Sequence, residues 1–222
     1  MASKGKFSQS PSGCKRQGLI VCLIVILVLA VDQASKFWIK TNMTLSQTID
    51  ITSWFKITFV ENNGMAFGME LFGKLFLSVF RIGAIGLFIW YIAKIRNKGF
   101  PTAYIVTLAF ILAGAVGNLI DCIFYGLIFS ESTFTHVAAM TGFGQGYAPA
   151  LYGKVVDMLY FPLFEWPEWM PLAGGRIFFS PVFNVADSCI TCGMIALILF
   201  FTKYINMGLE YKSPDETADA EK

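Results

Sequence analysis

The sequence predicts an all-α membrane protein with four transmembrane helices and a small extramembrane β element on the outer side. Three observations lead to this fold class. Of the 222 residues, 55% are hydrophobic and only 14% are charged, which is more apolar surface than a soluble domain can bury. Four apolar runs are each about as long as a helix that crosses the hydrocarbon core. Between the first two runs, apolar and polar residues alternate as they do in a strand.

The four apolar runs predict the membrane spans. They cover residues 18–39, 74–95, 103–127 and 183–206. The first run directly follows a polar tail, residues 1–17. At about 20 residues it is longer than the apolar region of a cleavable signal peptide, so we expect it to remain as the first helix. We predict that residues 1–222 form one membrane-embedded domain.

Basic residues predict which segments face the cytoplasm, because short segments rich in Lys and Arg are retained there. The tail 1–17 is basic, and so is the connection after the second run. That connection carries Lys94, Arg96 and Lys98. An even number of spans returns the tail 207–222 to the same side as residues 1–17. Residues 41–73 and 127–182 are then predicted to lie outside.

The two outer segments differ in character. In the first, strict alternation from Phe55 to Phe59 predicts a half-buried strand before a turn at Asn62-Asn63-Gly64. The second, residues 127–182, is long and rich in Gly, Pro and aromatic residues. This composition disfavours a continuous spanning helix.

Ionisable side chains in or beside the spans are the candidates for chemistry, because inserting one costs roughly 2.5 to 3.5 kcal/mol. They are Asp32, Lys36, Arg81, Asp121, Asp157 and Asp187. Asp32 and Lys36 stand four residues apart on the first helix, so they share a face and can pair. This spacing fits a structural ion pair as well as a functional one.

An amide and a carboxyl recur three residues apart on two different spans. Asn118 precedes Asp121 on the third run, and Asn184 precedes Asp187 on the fourth. An amide beside a carboxyl can orient it and hold a water. Because both pairs lie at the outer ends of their helices, they indicate a shared polar site. Asp157 is a further carboxyl in an apolar setting.

Other hydrolytic chemistries lack the residues they need. His136 is the single histidine, so neither a Ser/His/Asp triad nor a histidine zinc site can be assembled. Ser35 and Lys36 are adjacent on a helix and point in different directions, which disfavours a Ser/Lys dyad. A carboxyl pair that shares a proton remains, with one carboxylate activating water and the other polarising the carbonyl. We therefore expect neither a metal nor a cofactor.

Five motifs occur in a fixed order between residues 32 and 188. They are Asp32-Gln33-Ala34-Ser35-Lys36, Asn62-Asn63-Gly64-Met65-Ala66-Phe67, Gly114-Ala115-Val116-Gly117-Asn118-Leu119-Ile120-Asp121, Val155-Val156-Asp157 and Phe183-Asn184-Val185-Ala186-Asp187-Ser188. Each motif alone is weak. Together they resemble the bacterial lipoprotein signal peptidases, the type II signal peptidases.

The resemblance implies a multi-pass protein of the bacterial inner membrane with both termini cytoplasmic. It also implies an aspartic endopeptidase that removes the signal peptide from diacylglyceryl-modified prolipoproteins and cuts before the lipidated cysteine. The family's catalytic aspartates match Asp157 and Asp187. The residues expected to support them or to bind substrate are Asp32, Lys36, Asn62, Gly64, Asn118, Asp121 and Asn184. We expect a monomer that contacts membrane lipid and no nucleic acid.

The sequence departs from the family pattern in two places. The family usually has Arg directly after the aspartate of its third motif, where this chain has Cys122. Arg81 and Arg176 are the candidates to replace it. The connection before Val155 is also longer than is usual, and we expect residues 127–153 to lie at the membrane surface and help to hold or cover the substrate.

Two other functions are weighed against the peptidase. Intramembrane carboxyls also serve proton relays, so a small proton-coupled transporter is the alternative. The carboxyls lie near the outer ends of the spans, however, whereas a transporter built on repeats binds at the midplane. A thiol oxidoreductase would use Cys189 and Cys192, but these lie in an apolar helix without a redox fold around them.

Overall fold

The computed structural model describes residues 11–63, 73–96 and 98–210. The helices are α1 (Pro11–Asn42), α2 (Lys74–Ile95), α3 (Thr102–Ile120), a π-helical turn (Asp121–Tyr125), α4 (Gly126–Ile128), α5 (Val185–Phe200) and α6 (Thr202–Glu210). The strands are β1 (Thr48–Asp50), β2 (Lys56–Asn62), β3 (Val155–Tyr160), β4 (Phe164–Glu165), β5 (Ile177–Phe178) and β6 (Val182–Phe183). This is a membrane fold of several apolar helices with a small β-sheet.

Three helical segments in the described ranges are long and apolar enough to cross a membrane. They are Lys15–Asn42, Lys74–Ile95 and Thr102–Ile128. The predicted run 74–95 coincides with α2, and the predicted run 103–127 lies within the third segment. A fourth span is obtained only if Val185–Phe200 and Thr202–Leu209 are taken together, and these two helices are bent by 87°.

The prediction of one continuous helix over residues 183–206 is wrong, because α5 ends at Phe200. Phe201 leaves the helical conformation at φ −124° and ψ 8°. Its ring lies 5.6 Å from that of Tyr104 on α3, and Tyr204 lies 5.8 Å from the same ring. Packing of these aromatic rings accompanies the bend of 87° between α5 and α6. With 16 residues, α5 is about 24 Å long.

Two glycines allow α3 to approach its neighbours closely. A Cβ atom at Gly114 would lie 2.3 Å from the carbonyl oxygen of Ala186 on α5. A Cβ atom at Gly117 would lie 2.7 Å from the Asp32 carboxylate on α1. Because no side chain intervenes at either position, α1, α3 and α5 bring their polar residues together.

The sheet has the strand order β1-β2-β3-β6, with antiparallel neighbours. The predicted strand is present as β2, with Phe59 fully buried, but it continues to Asn62, where the sequence predicts a turn. Gly64 lies outside the described residues. Val60 is opposite Asp157, and β6 leads directly into α5. The sheet therefore places Asp157 beside the start of α5.

The segment between the third and fourth apolar runs contains no spanning helix, as predicted, since the described residues 129–184 form strands and turns. Its first part, residues 129–154, folds back onto the helix ends. Leu45 N donates to Thr133 O at 2.9 Å, and Gly153 N donates to Cys122 O at 2.9 Å. This insertion is therefore packed against the end of α1 and the π-helical turn.

Candidate active site

Asn184 and Asp187 begin α5 as a reciprocal cap. The Asn184 side chain accepts a hydrogen bond from Asp187 N at 2.9 Å, and the Asp187 carboxylate accepts one from Asn184 N at 3.3 Å. This is a capping box with Asp in the place where Glu is usual. The amide–carboxyl repeat seen in the sequence thus fixes the orientation of Asp187 at the helix N-terminus.

Asp157 is held by two amides. Asn184 Nδ2 donates to Asp157 Oδ1 at 2.7 Å, and Asn62 Nδ2 donates to Asp157 Oδ2 at 3.2 Å. Asp157 is almost fully buried, whereas Asp187 is partly exposed. Asn184 contacts both aspartates, so one buried side chain sets their relative position.

Burial raises the pKa of Asp157 to about 7, and the neighbouring Asp187 raises it further in the same direction. Hydrogen bonds from Asn62 and Asn184 favour the carboxylate and so lower the pKa, as does the charge of Lys36, but these effects are smaller. Near neutral pH, Asp157 is therefore a carboxyl that can either hold or release a proton.

Asn118 connects Asp187 to a buried lysine. Asn118 Nδ2 donates to Asp187 Oδ1 at 2.8 Å, and Asn118 Oδ1 accepts from Lys36 Nζ at 2.9 Å. An amide can be read in either orientation, but the lysine can only donate, which fixes the Asn118 oxygen toward it. The Asn118 amide group must then point at Asp187.

Lys36 pairs with two carboxylates at once. Its Nζ lies 2.9 Å from Asp32 Oδ2 and 2.9 Å from Asp121 Oδ2, and all three side chains are fully buried. The pairing of Asp32 with Lys36 expected from their spacing is present. Asp32 Oδ1 accepts from Ala186 N at 2.9 Å, and Asp121 Oδ2 accepts from Val156 N at 3.3 Å. This network ties α1 to α5 and to β3.

Gln33 makes a contact at the site that was not predicted, whereas Arg81 was one of the two candidates for the place of the family Arg. Gln33 Nε2 donates to Asp121 Oδ1 at 2.9 Å, although nothing but its place in the first motif distinguishes Gln33 in the sequence. Arg81 Nη1 lies 3.1 Å from Cys122 Sγ. Arg81 therefore brings a guanidinium to the position where the family pattern has Arg. Arg176 lies beyond β4, where its backbone pairs with Trp166.

Within the described ranges, no group of three or more His, Cys, Asp or Glu residues is arranged to hold a metal ion. Cys189 and Cys192 are both free thiols. An apolar cleft of about 340 Å³ between α3 and α5 is lined by these two cysteines and by Ser188, next to Asp187.

The fold and site define a membrane-embedded enzyme whose candidate acid–base groups are two neighbouring carboxyls, one buried and one partly exposed. Residues 24–203 match the family model described as signal peptidase (SPase) II. The chain belongs to this family, and it is an aspartic endopeptidase of the signal peptidase II type. Neither the family nor the relatives described next support the transporter alternative.

Two relatives carry the same description, lipoprotein signal peptidase. The protein from Porphyromonas gingivalis is 46% identical over 210 residues, covering 91% of this chain and 92% of that protein. The protein from Amoebophilus asiaticus is 33% identical over 208 residues, covering 89% and 84%. Each alignment thus covers most of this chain and most of the relative.

Two solved structures, each described as a bacterial membrane enzyme studied by the in meso method, share the fold. One has a TM-score of 0.59 and 24% identity, and covers 87% of this chain and 93% of its own. The other has a TM-score of 0.54 and 25% identity, and covers 81% and 90%.

Proposed function

We propose that Asp157 and Asp187 are the catalytic pair of this lipoprotein signal peptidase. The substrate is a diacylglyceryl-modified prolipoprotein, and the bond cut lies before its lipidated cysteine. The observation that supports this assignment best is Asn184, which hydrogen-bonds to both aspartates at 2.7 and 2.9 Å and so holds them as a pair.

The different surroundings of the two carboxyls suggest their roles. Asp157 is buried and has a pKa of about 7, so it can hold a proton toward the scissile carbonyl oxygen. Asp187 is partly exposed at the N-terminus of α5, where water can reach it. Asp187 is therefore the base that takes a proton from the attacking water.

The proton transfers balance over one cycle. Water attacks the carbonyl carbon while Asp187 takes its proton and Asp157 gives its own to the carbonyl oxygen. The resulting diol collapses as the carbon–nitrogen bond breaks. Asp187 then gives its proton to the leaving amine of the lipidated cysteine, and Asp157 regains one from the diol hydroxyl. Asn62, Asn118 and Asn184 orient the two carboxyls, and Lys36 orients Asn118.

The apolar part of the substrate has a candidate location. The cleft between α3 and α5 begins at Ser188, the residue after Asp187, and continues along the lipid-exposed side of both helices past Cys192. Apolar chains from the substrate or the membrane would fill it without loss of hydrogen bonds. This supports a substrate that reaches the aspartates from within the bilayer.

The proposed topology has four spans in the bacterial inner membrane and both termini in the cytoplasm. Because α6 is bent by 87° from α5, we take α5 alone as the fourth span, although it is shorter than the other three. Gln17 Nε2 donates to Phe100 O at 3.0 Å, so the start of α1 lies beside the α2–α3 connection. Lys15 and Arg16 therefore lie at the same end of the bundle as the connection that carries Arg96, and the sheet is at the other end. Exposed apolar side chains such as Ile26 and Leu27, 64% and 65% exposed, suit contact with lipid. We propose a single domain that acts as a monomer.

Cleavage of a purified lipidated prolipoprotein by the detergent-solubilised enzyme tests the assignment. Asp157→Asn and Asp187→Asn should each lower kcat by about 10²- to 10⁴-fold, because an amide cannot exchange the proton. Asp121→Asn is the matched control. It should act mainly by lowering the thermal midpoint, and its loss of kcat should be smaller than that of either catalytic variant. Substantial turnover by either catalytic variant, measured by mass spectrometry of the product, would exclude the pair.

A further inference from the structure

A second buried polar cluster lies on the side of β2 that faces away from the aspartates. We call it the Lys40 cluster; its members are Lys40, Glu61, Ser132, Tyr147 and Lys154. Lys40 lies in the last turn of α1 and Glu61 on β2, while the other three belong to the insertion 129–154 or adjoin its end. The proposed mechanism uses none of them.

The centre of the cluster is a closed set of hydrogen bonds. Lys40 Nζ donates to Glu61 Oε1 and, at 2.7 Å, to Ser132 Oγ, which in turn donates to Glu61 Oε1 at 2.9 Å. The Lys40 side chain is fully buried and that of Glu61 is 3% exposed. Charges buried to this degree are held in place, because moving either one leaves the other unpaired.

The insertion supplies the remaining contacts. Lys40 Nζ lies 4.8 Å from the centre of the Tyr147 ring, within the range of a cation–π interaction. Lys154 Nζ lies 3.3 Å from Glu61 Oε2 and 3.4 Å from Glu131 Oε1. Glu61 therefore forms an ion pair with Lys40 of α1 and further polar contacts with the insertion.

Glu61 directly precedes the residue that contacts Asp157. Along β2, Val60 is opposite Asp157, Glu61 is opposite Val156 and Asn62 is opposite Val155. Because successive side chains of a strand point to opposite faces, Asn62 faces the aspartates while Glu61 faces the Lys40 cluster. One strand thus separates the two polar networks.

The pairing of β2 with β3 is irregular just before this point. Its register shifts between Ile57 and Val60, and the strand ends at Asn62. After the shift, only three residue pairs between β2 and β3 hold the end of β2, from Val60 to Asn62, in register. A slip of one residue would turn the Asn62 amide away from Asp157 and bring the Glu61 carboxylate toward it.

We propose that Glu61 is a positioning residue. Held by Lys40 and Ser132, it fixes the register of β2 and so keeps the Asn62 amide against Asp157. The insertion then has a role in the reaction because it supplies Ser132. This inference rests on the proposed function, because it takes Asp157 as a catalytic carboxyl.

Steady-state cleavage by the full-length enzyme as a function of pH tests the proposal. Glu61→Gln should lower kcat about tenfold or more, because catalytic geometry is lost with small displacements, while KM changes less than about twofold. Loss of the Asn62 hydrogen bond disfavours the Asp157 carboxylate, so the alkaline limb of the profile should move to higher pH. Ser132→Ala should shift the limb in the same direction, and Ser132→Thr, which keeps the hydroxyl, should restore it.

Lys56→Met is the matched control. Lys56 is also on β2 and pairs with Asp50 at 2.9 Å, but this ion pair is partly exposed and faces β1. The variant should behave as the parent. If the alkaline limb stays in place in Glu61→Gln, whether or not kcat falls, the positioning role is wrong.

Two further measurements distinguish a wrong role for Glu61 from a misfolded variant and from a wrong catalytic pair. If Glu61→Gln does not yield folded protein, judged by its thermal midpoint, the Ser132→Ala profile decides the question, and an unshifted limb overturns the proposal. Asp157→Asn is assayed in parallel. Retained turnover there would overturn the catalytic pair, whereas an inactive Asp157→Asn beside a parent-like Glu61→Gln would overturn the role of Glu61 alone.

Discussion

Asn184 serves two purposes at once, because it caps α5 and contacts both aspartates. Its oxygen accepts from Asp187 N, and its amide donates to Asp157 and, at 3.1 Å, to Asn118 Oδ1. Both polar atoms of this fully buried side chain are thus used in hydrogen bonds. The position of the pair is set by the same bonds that start the helix.

The pH profile of cleavage follows from the pKa of Asp157, which burial raises to about 7. The protonated carboxyl predominates below this value, so kcat should fall as the pH rises through about 7. Asn62→Leu removes a hydrogen bond that favours the carboxylate, so the pKa rises further and the alkaline limb should move to higher pH. Measurements of kcat against pH check this.

Asn42→Leu is the control for that profile. Asn42 is an exposed amide at the end of α1 that donates to Trp38 O at 2.9 Å. Its profile should match that of the parent enzyme. An alkaline limb that moves to lower pH in Asn62→Leu would contradict the direction of the hydrogen-bond effect.

At the scale of residues, the sequence identifies those whose type is costly in a membrane. Asp157, Asp187 and Lys36 can be identified because a charged group in an apolar run costs free energy to insert into a membrane. Glu61 and Ser132 do not stand out, since both occur in segments between the apolar runs, where polar residues are ordinary. Their burial comes from the folded insertion, which no local pattern predicts.

At the scale of elements, the close approach of α3 and α5 depends on Gly114. A Cβ atom there would lie 2.3 Å from a backbone carbonyl oxygen, which cannot move aside as a side chain can. Gly114→Ala should therefore separate the helices, lower the thermal midpoint and greatly reduce cleavage. Thermal unfolding in detergent and the cleavage assay together measure this.

Gly83→Ala is the matched control on α2. Nothing lies within 4 Å of a Cβ atom at Gly83, so the methyl group meets no obstacle. Alanine is the better helix former by up to about 1 kcal/mol, and the variant should be as stable as the parent or more so. Equal losses from both substitutions would show that helix contact is not the cause.

The limits of spans 2 and 3 could be predicted because length and hydropathy decide them. Predicted residues 74–95 are those of α2, and predicted residues 103–127 fall within Thr102–Ile128. The sharp bend at the end of α5 could not be predicted in this way: Thr202, Lys203 and Asn206 make residues 201–206 polar, but a polar segment does not fix the direction in which the chain turns. Contacts of Phe201 and Tyr204 with Tyr104, distant in sequence, decide it.

At the scale of the whole molecule, the proposed topology predicts the outcome of reporter fusions. Fusions after Lys98 and after Lys212 should report the cytoplasm, because the basic segments are retained there. Fusions near Thr48 and Gly146 should report the outside. An outside signal at Lys98 would invert the orientation.

In the proposed topology α5 is the fourth span, and its length then has a consequence for the surrounding lipid. Its 16 residues span about 24 Å, whereas the hydrocarbon core is about 30 Å thick, and Asp187 lies in its first turn. Hydrophobic mismatch of this size is met by local thinning of the bilayer or by a tilted neighbour. Thinning would bring water and headgroups down to the carboxyls. Cleavage in vesicles should therefore slow as the acyl chains of the host lipid are lengthened. The rate in detergent micelles, which have no bilayer, is the reference for each comparison. Bilayer thickness then becomes a variable of the reaction, alongside pH and substrate.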